Sequence, residues 1–231
     1  MSIKIFADGS DKKEIFDLYT NNRNIAGFTT NPSLMKKAGV YDYKKFIKEI
    51  TSIVKELPIS FEVIADDFEG MISQAKLISS FSPNINVKIP IMNTKGEPTY
   101  DVITELIKCD IKLNITAVFT HEQIDNLRKI LPNNTSNIVS IFAGRISDTG
   151  RDPLVAIDYA LARLREQCEI LWASTRHVYN YYEAKKAGCH IITMLSDQIK
   201  KLSLENKDLE EYSRETVQMF YDDAINSGLS L

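Results

Sequence analysis

A chain of 231 residues, 44% hydrophobic and 26% charged, has the balance of a soluble globular protein and room for one barrel-sized α/β domain or two small ones. Its net charge of −3 supplies no basic field for nucleic acid or an anionic membrane, so a phosphate here must be held by local groups. No apolar run approaches the roughly 20 residues needed to span a bilayer. The opening MSIKIFADGS lacks a basic-then-apolar leader, which makes the cytoplasm the expected compartment. Cys109, Cys168 and Cys189 are odd in number and form no C-x-x-C pair. His121, His177 and His190 do not fall at i, i+4 spacing. Neither a disulfide framework nor a metal site is expected, and no cofactor is implied.

Eight short β-prone runs follow one another: Ile3–Ala7, Ile25–Thr29, Ile59–Ala65, Ile85–Pro90, Ile111–Phe119, Asn137–Phe142, Cys168–Ala173 and Cys189–Met194. Segments with helical apolar spacing lie between them, most clearly Tyr43–Leu57, Phe68–Ser80, Thr99–Lys108, His121–Ile130, Pro153–Gln167 and Arg176–Ala187. Asp152 before Pro153 reads as a helix N-cap with proline in the first helical position, and Gly188 reads as a C-terminal glycine. Strand–helix alternation repeated eight times predicts a parallel sheet closed into a (β/α)₈ TIM barrel, one domain over residues 1–231. No G-x-G-x-x-G follows the first strand and no G-x-x-x-x-G-K-[ST] occurs, so a dinucleotide or P-loop fold is unsupported. Residues 204–231 form a charged tail. Within it Leu209, Tyr212, Val217, Phe220 and Ala224 predict an extra amphipathic helix, packed on its own barrel or on a neighbouring subunit.

Barrel active sites lie at the C-terminal ends of the strands. Polar residues collect at those positions here: Asp8 at the end of the first strand, Thr29-Thr30-Asn31-Pro32-Ser33 after the second, Glu62 within the third, Lys88 in the fourth, Asn114 and Thr116 in the fifth, and Ser140 in the sixth. Lys88 sits alone in Ile85-Asn86-Val87-Lys88-Ile89-Pro90-Ile91, so alternation turns it away from Val87 and Ile89, into the barrel. Any one of these residues is explained as a buried polar group satisfied by a neighbour. Together they bring an acid, a lysine and hydroxyls to one lumen, a set suited to Schiff-base chemistry. Arg145, Ser174 and Arg176, on the expected loops after strands six and seven, suit a phosphate. Arg151 and Arg163 read as solvated helix faces.

The motifs Thr29-Thr30-Asn31-Pro32-Ser33, Val87-Lys88-Ile89-Pro90, Asn114-Ile115-Thr116, Phe142-Ala143-Gly144-Arg145 and Ala173-Ser174-Thr175-Arg176, in this order, resemble the transaldolase family of class I aldolases. The chain length resembles its small branch, which also holds fructose 6-phosphate aldolases. The resemblance implies a metal-free (β/α)₈ enzyme of carbohydrate metabolism, in the pentose phosphate pathway, which moves a dihydroxyacetone unit between sugar phosphates. By the same resemblance Lys88 is the Schiff-base lysine, and Asp8 the acid–base group for the C4 hydroxyl. Glu62 and Thr116 hold the proton-transfer water. Asn31, Asn114 and Ser140 bind the dihydroxyacetone unit, and Arg145, Ser174 and Arg176 bind the phosphate. Fructose 6-phosphate aldolases carry glutamine where Glu62 stands and tyrosine where Phe142 stands, so both positions point to transfer and away from release of free dihydroxyacetone. The contexts Phe6-Ala7-Asp8-Gly9-Ser10, Trp172 and Ser147–Pro153 depart from the common pattern and leave the acceptor sugar open. The small branch implies a homo-oligomer of five or ten subunits interlocked through C-terminal helices.

Overall fold

The computed structural model describes residues 2–228. Eight parallel strands close in chain order into a barrel: β1 (Lys4–Asp8), β2 (Ile25–Thr29), β3 (Ile59–Glu62), β4 (Ile85–Pro90), β5 (Leu113–Val118), β6 (Ile138–Ile141), β7 (Glu169–Trp172) and β8 (Ile191–Met194), with β8 pairing back onto β1. The crossover helices are α1 (Lys12–Asn21), α2 (Pro32–Lys37), α3 (Tyr43–Ile53), α4 (Phe68–Ser79), α5 (Tyr100–Lys108), α6 (His121–Ile130), α7 (Ala143–Ser147), α8 (Leu154–Leu164) and α9 (Tyr179–Ala187), and α10 (Ser196–Lys201) follows β8. A further helix, α11 (Leu209–Asn226), follows. The expected (β/α)₈ barrel with an extra C-terminal helix is the fold. Of the expected tail, residues 229–231 lie outside the described residues.

Helix starts are set by side-chain caps. The N–H groups of Glu14, Lys45 and Gly70 donate to Asp11, Asp42 and Asp67 at 2.9, 2.9 and 2.7 Å. Thr120 and Gln123 form a reciprocal capping box. Each cap satisfies an otherwise orphaned donor, worth about 1 kcal/mol. Gly188 ends α9 at φ +88°, as its sequence position suggested.

The expected bounds shift where local chemistry intervenes. Helix α3 stops at Ile53, short of Leu57, which the following Pro58 pushes out of the helical region. Helix α9 begins at Tyr179, not Arg176, and Asn180 Oδ1 accepts from the N–H groups of Arg176 and His177 at 3.0 and 3.3 Å in the loop before it. Asp152 does accept an N–H, from Leu154 at 2.9 Å, but Pro153 lies just outside α8. Glu62 is the last residue of β3 rather than mid-strand. Arg145 lies in the short α7 rather than on a loop.

The main core lies between strands and helices, and contains Phe28, Phe46, Phe61 and Trp172. A smaller cluster of Phe6, Ile138, Leu171, Ala173 and Ile191 includes two residues, Leu171 and Ala173, that also line the site described below. Gly27 makes room for Phe6 there, since a Cβ at Gly27 would meet the Phe6 ring at 2.5 Å. Cys168 and Cys189 are core residues; burial pushes both thiols up to about 12. No residue of α11 is buried, and Leu209, Val217, Phe220, Tyr221 and Ile225 are exposed on it.

Candidate active site

The strand ends at the C-terminal face surround one cavity of about 450 Å³. All eleven site residues read from the sequence line it: Asp8, Asn31, Glu62, Lys88, Asn114, Thr116, Ser140, Phe142, Arg145, Ser174 and Arg176. Strand register brings them there. Asp8 is level with Thr29, Glu62 with Lys88, Lys88 with Asn114, and Pro90 with Thr116. Alternation then puts residues two apart on the same face, which is how Asn114 and Thr116 share the cavity.

Lys88 is 7% exposed. Its ammonium donates to the Thr30 carbonyl at 2.9 Å and lies 3.0 Å from Glu62 Oε2. A buried ammonium needs such partners, because an unpaired one costs several kcal/mol, of order 5. Among the described residues it is the one lysine that lines the cavity. Across from it, Asp8 Oδ1 accepts from the Thr29 hydroxyl at 2.8 Å and Oδ2 accepts from Asn31 Nδ2 at 3.5 Å. Burial pushes the Asp8 carboxyl above the ordinary carboxylate range. The Lys88 charge and the Thr29 hydrogen bond oppose that rise, and the Glu62 charge adds to it. A carboxyl displaced this way is suited to carry a proton between steps.

A polar chain runs across the lumen. Ser140 Oγ donates to Asn114 Oδ1 at 2.7 Å, and Asn114 Nδ2 donates to Ser60 Oγ at 3.0 Å. These bonds fix which way the Asn114 amide faces and leave one of its N–H groups for a ligand. Thr116 Oγ1 is buried and has no protein partner among the described residues. Its neighbour Ala117 has φ +59°, where the β5–β6 register shifts. This bulge brings Ala117 to the cavity beside Thr116, which alternation already turns there.

The far wall is cationic. Ser174 sits in the left-handed region at φ +67°, an unusual conformation for a residue with a side chain. The loop is strapped down: the Thr175 hydroxyl donates to the Thr193 carbonyl, and Gln198 Nε2 donates to the Thr175 carbonyl at 3.2 Å. Arg176 Nε donates to Asp148 Oδ1 at 3.0 Å, with Nη2 on Oδ2. Arg163 instead pairs with Asp125 outside the cavity, in keeping with a surface role.

Ser60, Thr29, Asp148 and Gln198 contact this site without a role of their own in the sequence reading. The alternation rule applied to Glu62 marks Ser60, two residues earlier, as another inward position. Thr29 lies inside a motif of which the resemblance gives only Asn31 a role. Asp148 and Gln198 carry no local signal, because their partners are 28 and 23 residues away.

Comparison with known proteins gives one family. Residues 5–230 match the family described as Transaldolase/Fructose-6-phosphate aldolase. A protein named "Probable transaldolase" from Methanococcus vannielii is 35% identical over 216 residues, 91% of this chain and 95% of that protein. Another of the same name, from Caldicellulosiruptor saccharolyticus, is 34% identical over 220 residues, covering 92% and 96%. Among solved structures, 3-hexulose-6-phosphate synthase from Salmonella typhimurium aligns with a TM-score of 0.60 at 11% identity, over 84% of this chain and 89% of that one. N-acetylneuraminate lyase from Mycoplasma synoviae aligns at 0.53 and 14% identity, over 97% and 83%. These two likenesses concern the barrel fold alone. With a match spanning nearly the whole chain, the protein belongs to the transaldolase/fructose-6-phosphate aldolase family.

Proposed function

We propose that the protein is a transaldolase, moving a dihydroxyacetone unit from fructose 6-phosphate or sedoheptulose 7-phosphate to an aldose phosphate, as a step of the pentose phosphate pathway. The observation that carries this reading is the contact of Lys88 with Glu62 at 3.0 Å, in a cavity that Asp8 also lines. Attack on a ketone needs an amine with a free electron pair, and Glu62 is placed to take the proton that the ammonium must lose. Lys88 Nζ then bonds to C2 of the ketose, and the carbinolamine loses water to become an iminium. Glu62 and the unpartnered Thr116 hydroxyl handle the protons of that dehydration. Asp8 takes the C4 hydroxyl proton as the C3–C4 bond breaks, and the iminium receives the electron pair as an enamine. The short aldose phosphate leaves. A second aldose brings its aldehyde carbon to the enamine, Asp8 returns its proton to the new hydroxyl, and hydrolysis frees Lys88. Asn31, Asn114 and Ser140 hold the retained three-carbon unit, while Arg145, Ser174 and Arg176 hold the phosphate.

Transfer rather than release is supported by Phe142, which lines the cavity and packs on Phe119 with ring centroids 5.7 Å apart. A phenyl ring has no proton to give the enamine. The test is glyceraldehyde 3-phosphate production from fructose 6-phosphate with and without erythrose 4-phosphate. Sustained product only with the acceptor is expected, and Phe142→Tyr should raise release of free dihydroxyacetone. Sustained product without the acceptor in the unmodified protein would mean that it is an aldolase.

The exposed apolar residues of α11 support a homo-oligomer with α11 seated on a neighbouring copy, and the family resemblance adds a count of five or ten copies. Sedimentation should give an assembly that loses affinity when Phe220 and Ile225 become serine. A monomer mass for the full-length chain at micromolar concentration rules the oligomer out.

No helix among the described residues is long and apolar enough to cross a membrane.

A further inference from the structure

The cationic wall of the cavity contains an acid to which the transfer reaction gives no task. Asp148 follows α7, and both of its carboxylate oxygens accept from Arg176, through Nε and Nη2. The Arg176 hydrogen bonds, and after them the Arg176 and Arg145 charges, hold its carboxyl below the ordinary carboxylate range. A carboxylate beside a phosphate seat repels the phosphate directly, so its presence calls for a compensating use.

The use lies in how a guanidinium presents its donors. Arg176 has a side edge, Nε with Nη2, and an end edge, Nη1 with Nη2. Asp148 occupies the side edge. No protein acceptor among the described residues meets Nη1, and Arg176 lines the cavity. At its other end the residue is anchored by its N–H, which donates to Asn180 Oδ1 at 3.0 Å. The arginine is thus gripped at backbone and head before any ligand arrives, which lowers the rotamer entropy lost on binding. The one negative charge also shields Arg145 and Arg176 from each other.

We propose that Asp148 is a positioning residue that grips the side edge of Arg176 and aims its end edge at the phosphate of the bound sugar. This rests on the reading of Arg176 as a phosphate ligand.

The test uses the full-length protein carrying Asp148→Ala, Asp148→Asn or Arg176→Gln, and the Asp148→Ala/Arg176→Gln pair. Three quantities are read: the inhibition constant of inorganic phosphate, KM and kcat for fructose 6-phosphate, and borohydride trapping of the phosphate-free ketone dihydroxyacetone. For an ion pair this exposed, Asp148→Ala should raise the phosphate inhibition constant and KM by about fivefold, with kcat within about twofold. Asp148→Asn, which keeps one acceptor oxygen, should fall between Ala and the unmodified protein. Trapping of dihydroxyacetone should not change, and Asp148→Ala should add nothing once Arg176 is glutamine. A phosphate inhibition constant that falls in Asp148→Ala would make Asp148 a competitor for the arginine. One that does not move would make it a bystander, and parallel loss of dihydroxyacetone trapping would reduce it to a structural prop. Each result overturns the proposal. If Arg176→Gln leaves phosphate inhibition unchanged, the phosphate reading of Arg176 fails, and the positioning role falls with it. If Arg176→Gln weakens phosphate and Asp148→Ala does not, the positioning role fails alone.

Discussion

Replacing Lys88 by methionine is expected to abolish the borohydride-trapped adduct with fructose 6-phosphate and to lower turnover below about one-thousandth. No other lysine lines the cavity among the described residues, so no neighbouring amine is placed to take over. Methionine matches the lysine stem in length and adds no polar atom, which makes it the least disruptive probe. It leaves Glu62 without its cationic partner. Because the Glu62 side chain keeps 19% exposure to the cavity, the loss should stay near about 1–3 kcal/mol rather than the larger cost of a fully enclosed charge. Adding Glu62→Gln to Lys88→Met should recover part of that stability without recovering any activity. The measurements are intact-protein mass after borohydride reduction and the thermal midpoint of each variant. An adduct that persists in Lys88→Met would place the nucleophile elsewhere. A double variant no more stable than Lys88→Met would show that Glu62 is not strained by losing its partner.

The site residues on strands are legible in the sequence because their placement follows from strand alternation, whereas Asn31, Phe142, Arg145, Ser174 and Arg176 lie past the strand ends and are legible only through their motifs. Lys88 between Val87 and Ile89, and Asn114 and Thr116 on either side of Ile115, can be assigned to the lumen once the eight-strand pattern is recognised. The barrel itself was legible for the same reason, because period-2 runs alternating with helical runs admit few closed solutions. The parts that were not legible depend on long-range contacts. The Lys88 ammonium leans on the carbonyl of Thr30, 58 residues earlier, and a backbone oxygen leaves no trace in residue identity. The loop before helix α9 is held by the Asn180 side chain, which accepts from the N–H groups of Arg176 and His177, a contact that the apolar spacing of the helix does not show. Arg145 reads as a loop residue in the sequence because α7 is only five residues long, too short to show a period. The raised Asp8 carboxyl arises from burial by the assembled barrel and has no signature in Phe6-Ala7-Asp8-Gly9-Ser10.

Gly144→Ala should disable phosphate recognition while sparing the Schiff base. Gly144 meets the loop of Ser174 so closely that a Cβ on it would lie 1.6 Å from the Ser174 carbonyl oxygen and 2.7 Å from the carbonyl carbon. The obstacle is backbone, and no side-chain rotation relieves it. The Ser174 loop cannot simply retreat. It is tied by the Thr175 hydroxyl to Thr193, by Gln198 to the Thr175 carbonyl, and by Asn180 to the Arg176 N–H. Ser174 is already in the left-handed region, so its backbone has little conformational slack. The methyl must therefore push α7 and the loop apart, moving Arg145 on one side and Ser174 with Arg176 on the other. Overpacking of this kind costs about 1–3 kcal/mol, which in a domain of this size lowers the thermal midpoint by some 2–12 °C. The larger effect falls on binding. A shift of about 1 Å breaks hydrogen-bond geometry to a phosphate, so KM for fructose 6-phosphate and the inhibition constant of inorganic phosphate should both rise by more than about tenfold. Lys88, Glu62 and Asp8 sit on β4, β3 and β1, away from this contact, so borohydride trapping of dihydroxyacetone should persist at the unmodified level. Unchanged phosphate inhibition in a folded Gly144→Ala protein would show that the phosphate does not sit between Arg145 and the Ser174 loop. Loss of dihydroxyacetone trapping together with phosphate inhibition would show that the two halves of the cavity are mechanically one unit, because the strands that carry the lysine and the acid would then have moved with the loop.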